Sequence, residues 1–176
     1  PILRSASGKN YLDADGTDDW MQIFPTLNLG EQWWHVGGWK LDDPAATTGA
    51  FTTSASYRGS YNRSTTVGSK GLWYNSSDAR VTLVDGAVVS AHVATIEQAS
   101  TTSISGRYNG GASTTITPYD DTGSTQGVAL FSVANSAWAN GLDGRFYGGA
   151  FGTGALSSAD RALLERYVAS LTGVSL

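Results

Sequence analysis

Cysteine is absent from this 176-residue chain, which removes disulfides, thiolate metal sites and thiol nucleophiles together. No apolar run approaches the roughly 20 residues that a membrane-spanning helix needs, so membrane insertion is not expected. Cations are scarce and scattered, three Lys and eight Arg against 15 acidic residues, for a net charge of −4. A phosphate backbone is bound by clustered Lys and Arg, so nucleic acid is not an expected partner. Charged residues make up 15% and aromatics 11%, the reverse of a disordered composition. The chain opens on Pro1-Ile2-Leu3 with neither an initiator Met nor a basic-then-apolar leader, as expected of a processed protein or a piece of a longer one.

What the chain does have is 22 Gly, 40 Ser plus Thr, and six Trp, the composition of short strands joined by turns. Phe51 to Tyr61 alternates cleanly, with Phe51, Thr53, Ala55, Tyr57 and Tyr61 on one face, and reads as a strand. Trp33 to Leu41 reads likewise, with Trp33, His35, Gly37, Trp39 and Leu41 on one face and Trp34, Val36 and Lys40 on the other. Val81 to Val84 and Ala87 to Val89 flank Asp85-Gly86, the signal for a type I′ hairpin. Gly127 to Val133 is a continuous apolar run, as in a strand covered on both faces. Arg145 to Phe151 reads as the last strand, its glycines permitting a bend or close backbone approach.

One helix is expected, over about 157–171. Ser157 suits its N-cap, Asp160 its first turn and Gly173 its C′ position. Leu163, Leu164, Tyr167, Val168 and Leu171 form the stripe expected to face the core. With strands over about 1–153 and no linker or repeat, residues 1–176 are expected to be one all-β domain. The economical architecture is a two-sheet antiparallel sandwich with the helix packed against it, a closed barrel being the competitor.

Groups for catalysis are thinly supplied. Glu occurs three times, at Glu31, Glu97 and Glu165. The adjacent pairs Asp18-Asp19, Asp42-Asp43 and Asp120-Asp121 lie in turn-like sequence, and neighbours on a strand point to opposite faces, which makes a poor carboxylate dyad. Turn and capping duty is their ordinary use; calcium or sugar contact is the other, and Asp42 and Asp43 are the candidate Ca²⁺ ligands. The two histidines, His35 and His92, share no metal-ligand spacing, and His35 between two tryptophans reads as a half-buried strand residue. No Gly-x-Ser-x-Gly elbow occurs.

Aromatics mixed with hydrogen-bonding side chains are the better lead, because sugar rings combine apolar C–H faces with hydroxyl edges. Arg107-Tyr108-Asn109-Gly110-Gly111 and Pro118-Tyr119-Asp120-Asp121-Thr122-Gly123 carry this mixture, and Trp73-Tyr74-Asn75 carries less of it. Tyr capping a core edge and Asp closing a turn would leave the same pattern. Trp33-Trp34 must place one ring on each sheet face, which makes Trp34 a further candidate. The ligand-binding set is thus Trp34, Arg107, Tyr108, Asn109, Tyr119, Asp120 and Asp121. Asn62-Arg63-Ser64 and Asn75-Ser76-Ser77 match the glycosylation sequon, a match common by chance.

Tyr11-Leu12-Asp13-Ala14-Asp15-Gly16-Thr17-Asp18-Asp19-Trp20 resembles the opening strand of laminin-G-like, concanavalin A-like domains, with Ala14 where Phe is usual. Val81 to Val89 resembles their central hairpin. Gly141-Leu142-Asp143-Gly144-Arg145-Phe146-Tyr147-Gly148, with Gly154-Ala155-Leu156-Ser157-Ser158-Ala159-Asp160, resembles their closing strand and the start of a terminal helix. The helix-terminated variant is similar to domains of bacteriophage tails and phage-like particles. The resemblance implies a jelly roll on a virion or extracellular particle surface that adheres to host cell-surface glycans or capsular polysaccharide. On that particle-adhesin reading the expected partners include other particle proteins, with a homotrimer if the parent is a fibre, and a structural Ca²⁺ is the candidate cofactor. The Glu-x-Asp-x-x-Glu strand of polysaccharide-cleaving members of the wider superfamily is absent, so no enzyme is expected. A decoration or assembly domain without sugar binding is the alternative, and a polysaccharide-cleaving enzyme the second.

Overall fold

The computed structural model describes residues 1–17, 19, 21–28, 30–42, 48–53, 59–62, 69–74, 79–85, 90–116, 125–130 and 142–176, with side chains described only within 1–17, 19, 21, 30–42, 83–84, 90–115 and 142–176. Among these, the strands in chain order are β1 (Ile2–Ala6), β2 (Lys9–Asp15), β3 (Met21–Asn28), β4 (Trp33–Leu41), β5 (Thr48–Thr53), β6 (Gly59–Asn62) and β7 (Ser69–Tyr74). They continue with β8 (Ala79–Asp85), β9 (His92–Ser100), β10 (Ser103–Tyr108), β11 (Thr114–Ile116), β12 (Thr125–Leu130) and β13 (Asp143–Thr153), before helix α1 (Ser158–Thr172). One sheet runs β1-β2-β13-β4-β9-β10-β11, the other β3-β12-β5-β6-β7-β8. All pairings are antiparallel. The result is a jelly-roll sandwich with one helix, as the sequence predicts. Pro25 lies in β3, an edge strand, where the register to β12 slips between Phe24 and Leu27; a residue without an N–H is tolerated at such an edge.

The core follows from alternation along β4, whose two faces do different jobs. Trp33, His35, Trp39 and Leu41 point into the sandwich and are buried. Trp39 and Leu41 pack with Ala14, Ala94, Leu142 and Phe146, and Leu83 of β8 reaches this cluster from the other sheet. Each such side chain contributes about 1.5–3 kcal/mol by leaving water. The indole N–H of Trp33 is matched inside by Gln98 Oε1 at 2.7 Å. On the outer face, Val36 joins Val93, Val168 and Ala169 beneath α1. His35 is fully buried rather than half-buried, its ring stacked on Trp33 at 6.3 Å. Central strands covered on both sides bury both residue sets.

The helix starts and stops where its signals stand. Ser157 Oγ accepts from the Asp160 N–H at 3.1 Å, and Gly173, at φ 82°, closes the last turn through Ala169. Its docking face, however, is rotated from the predicted stripe. Glu165, Val168, Ala169 and Thr172 are buried, whereas Leu163 and Tyr167 stand 58% and 59% exposed. The floor explains this. A Cβ at Gly38 would lie 2.7 Å from Val168 Cγ1 and closer still to Thr172, so only glycine lets the helix approach β4 along that line. Polar contacts complete the docking: Thr95 Oγ1 donates to Glu165 Oε1 at 2.8 Å, Arg161 pairs with Glu97 at 2.7 Å, and Lys9 Nζ donates to the Ser170 carbonyl.

One other expectation changes. Phe51–Tyr61 is not one strand but parts of two, β5 and β6, paired with Phe51 opposite Ser60. A period of two is the same in either chain direction, so alternation alone does not register the reversal. Of the predicted hairpin at Asp85-Gly86, only the first arm is described, as β8, a sheet edge beside β7; Ala87 to Val89 lie outside the described residues. Gly127–Val133 begins as β12, and residues 131–133 lie outside too. Arg145–Phe151 falls within β13, between β2 and β4.

Candidate functional site

Arg107 to Gly111 closes β10. Asn109 and Gly110 both have positive φ, 47° and 68°, and the Gly111 N–H donates to the Tyr108 carbonyl at 2.9 Å. That is the I′ geometry for which Asn-Gly is suited. The turn is tied down on all sides. The Asn109 N–H donates to Val93 O at 2.9 Å, and its Oδ1 accepts from the Val93 N–H at 2.8 Å. Arg107 Nη2 donates to Gly110 O at 2.6 Å, and its Nε lies 3.2 Å from Glu165 Oε1 beneath α1. Tyr108 faces the opposite way and stacks on His92 at 5.4 Å. Burial raises its hydroxyl pKa against hydrogen bonds to Ser90 and Asn109, which lower it.

Trp34 stands on the outer, helix-side face of β4. Its indole lies across Gly152, where a Cβ would come within 2.6 Å of Trp34 Cε2, and it packs at the margin of the cluster containing Leu164. Trp34 and Arg107 share that face with β9 between their strands, while Tyr108 is on the other face. The described members of the predicted set therefore do not converge. Tyr119, Asp120, Asp121 and Asp43 lie outside the described residues, as do the side chains of Trp73 and Tyr74 and all of Asn75.

Asp42 leads to residues that sequence reasoning passes over. Its Oδ1 accepts from Lys40 Nζ at 2.7 Å, its Oδ2 is 3.7 Å from Arg145 Nε, and its N–H donates to Asp143 O at 2.9 Å. The Arg145 guanidinium lies 5.0 Å above the Tyr11 ring, and Tyr11 meets Tyr147 at 5.8 Å. Burial acts to lower the Arg145 pKa, but Asp42, Tyr11 and Tyr147 outweigh it and the net shift is upward. Arg4 pairs with Asp13 at 2.6 Å alongside. These side chains occupy the half of the outer face that α1 leaves uncovered. The signal was i, i+2 alternation, Tyr11-Asp13 and Arg145-Tyr147 around the inward Leu12 and Phe146. For Asp42 to ligate Ca²⁺ it would have to leave both cations. Among the described residues, no three His, Asp or Glu side chains converge on a metal-sized site.

Among the described acid–base groups, Glu97 and Glu165 hold the helix, and His35 is sealed in the core. No family model matches the chain, and no curated protein matches it. Solved structures do. The enzymatically active domain of bacteriophage CBA120 tailspike protein 2 aligns with a TM-score of 0.65 at 13% identity, over 96% of this chain and 29% of that one. The carbohydrate-binding module CBM40 of the Ruminococcus gnavus IT-sialidase, bound to α2,3-sialyllactose, aligns with a TM-score of 0.55 at 15% identity, over 86% of this chain and 97% of the module. A heptameric SAP-like pentraxin from Limulus polyphemus aligns with a TM-score of 0.62 at 11% identity, over 94% of this chain and 82% of its own. The chain thus spans under a third of the tailspike structure but nearly all of the module, and it shares with all three a jelly-roll, lectin-like fold.

Proposed function

We propose that this chain is a non-catalytic carbohydrate-binding domain of a phage or phage-like particle, related to laminin-G-like domains, that recognises host cell-surface polysaccharide. The observation that carries the reading is the correspondence with one whole carbohydrate-binding module, joined to the tailspike likeness. The commitment of Glu97, Glu165 and His35 to packing favours binding over catalysis. Tyr119, Asp120 and Asp121, with Tyr108 at the end of β10, are the residues assigned to the ligand. Single-site affinity is weak and many copies on a particle supply avidity.

The test is binding of the purified domain to a bacterial glycan array, with calcium and with chelator. A defined polysaccharide hit supports the reading, and its loss in chelator adds a Ca²⁺. Release of reducing ends or unsaturated products from polysaccharide would overturn the non-enzyme reading. A decoration or assembly domain is the second reading, favoured by the exposed apolar side chains Ile2, Leu3, Leu163 and Tyr167. A blank array with folded protein selects it.

A further inference from the structure

We infer that the half of the outer face of the seven-stranded sheet that α1 leaves uncovered, at Tyr147, Arg145, Asp42 and Lys40, is a second sugar-contact surface, for an uncharged pyranose bearing vicinal hydroxyls. The inference rests on the carbohydrate-binding reading and adds to it a place and a ligand class. The helix ends beside Lys9, whose Nζ holds the Ser170 carbonyl, and Tyr11 follows two residues further along β2. From there to Asp42 the face carries no described covering element.

The chemistry there is that of polyol recognition. The register of β13 against β4 slips between Phe146 and Gly148, and Tyr147 is the extra residue at that bulge. Its ring lies 5.8 Å from Tyr11, itself buried, so a rigid aromatic floor backs a half-buried ring. Aromatic faces take the C–H face of a pyranose. Arg145, whose guanidinium lies over the same Tyr11 ring, leads from it to Asp42, an exposed carboxylate acceptor, and Arg145 and Lys40 supply donors within 3.7 Å of that carboxylate. A vicinal diol donates from one hydroxyl and accepts at the next, which this acceptor–donor pairing matches.

Charge selects among sugars. Asp13 is matched by Arg4, and Asp42 by Lys40 and Arg145. A carboxylate-bearing sugar would have to displace Asp42 from its two cations, whereas a neutral one bonds to the pair as it stands. Tyr147, Arg145 and Lys40 sit on strands and Asp42 directly follows one, so the surface is formed before the ligand arrives and little ordering opposes binding.

The test is titration of the intact domain with methyl glucoside, galactoside, mannoside and rhamnoside, and with methyl glucuronide, followed on the tyrosine ring signals by NMR. Expected are shifts at Tyr147 and Tyr11 with a neutral glycoside. Tyr147→Ala and Asp42→Ala should each weaken binding by about tenfold, the scale of one lost stacking or charged hydrogen-bond contact. Tyr147→Phe should stay within about threefold, because the ring is retained. Unchanged melting of the variants excludes unfolding as the cause. Binding that survives both alanine variants and is lost in Tyr119→Ala or Asp121→Ala overturns this surface and leaves the carbohydrate reading standing. Binding of the glucuronide alone overturns the neutral class. No shift with any glycoside, together with a blank array, overturns both.

Discussion

Acid should destabilise this domain through the His35 imidazole. His35 is sealed between Trp33 and the strands flanking β4, opposite Ile96 and Phe151. Burial alone lowers its pKa from 6.5 to about 3. The unfolded chain therefore takes up a proton near pH 6.5 that the folded chain refuses until about pH 3. The stability this neutral imidazole confers is complete above pH 6.5 and is lost progressively as pH falls towards 3. Each unit of pH inside that window costs up to about 1.4 kcal/mol. Between pH 7 and pH 5 the loss from His35 is about 2 kcal/mol, and over the whole window about 5 kcal/mol.

Urea unfolding followed by tryptophan fluorescence at pH 7, 6 and 5 measures it. The wild-type curve should fall, and the wild-type minus His35→Gln difference should change by about 2 kcal/mol over that interval, which isolates this residue from other titrating groups. Should the variant fail to fold, the His35 ring proton signal in the wild type decides: its shift should stay constant from pH 7.5 to 5. A ring that titrates near 6.5 in the folded protein, or stability that is flat from pH 7 to 5, refutes the reasoning.

Three substitutions probe the helix. Gly38→Ala drives a methyl into Val168 and Thr172, both branched and stiff at χ1, and should cost about 1–3 kcal/mol, read as a lower Tm and faster hydrogen exchange in α1. Glu165→Ala leaves Thr95 and Arg107 without their carboxylate and should cost about 3 kcal/mol in urea unfolding, the low end for a broken buried pair because Arg107 is partly exposed and keeps Gly110 O. Ser157→Ala removes the cap on the Asp160 N–H and should cost about 1 kcal/mol by the same measurement.

The parts of the fold that sequence reveals are those whose signal is local. Trp33–Leu41 alternates, and it is β4; Ser157 and Gly173 are cap residues, and they cap α1. Alternation also separates Arg107 from Tyr108, by the rule that already disqualifies adjacent aspartates as a dyad, and the structure does send them to opposite faces. The surface formed by Tyr11, Arg145 and Tyr147 is legible only in halves. Each strand shows its outward polar and aromatic residues, but the antiparallel pairing of β2 with β13, which places Arg145 opposite Asp13, joins ends of the chain. No spacing rule reaches that far.

The helix is the instructive misreading, because its apolar pattern and its docking face differ for a reason of geometry. A stripe of large side chains holds a helix away from a sheet at the usual packing distance, which suits a floor of branched residues. Here the floor has Gly38 in β4 and Gly148 in β13, and Leu171 fills the space over the latter, where a Cβ would lie 2.6 Å from its Cδ1. The close approach favours the small Ala169 and the short Thr172 at the contact and draws Glu165 down onto Thr95 and Arg107. Leu163 and Tyr167 are left on the outside by the same rotation. The Gly173 cap ends the helix beside Lys9, and the line of glycines sets its path, so together they decide which half of the sheet α1 leaves uncovered. Filling Gly38 should loosen the helix without altering the residues of the open half, so the covered and uncovered halves can be perturbed separately.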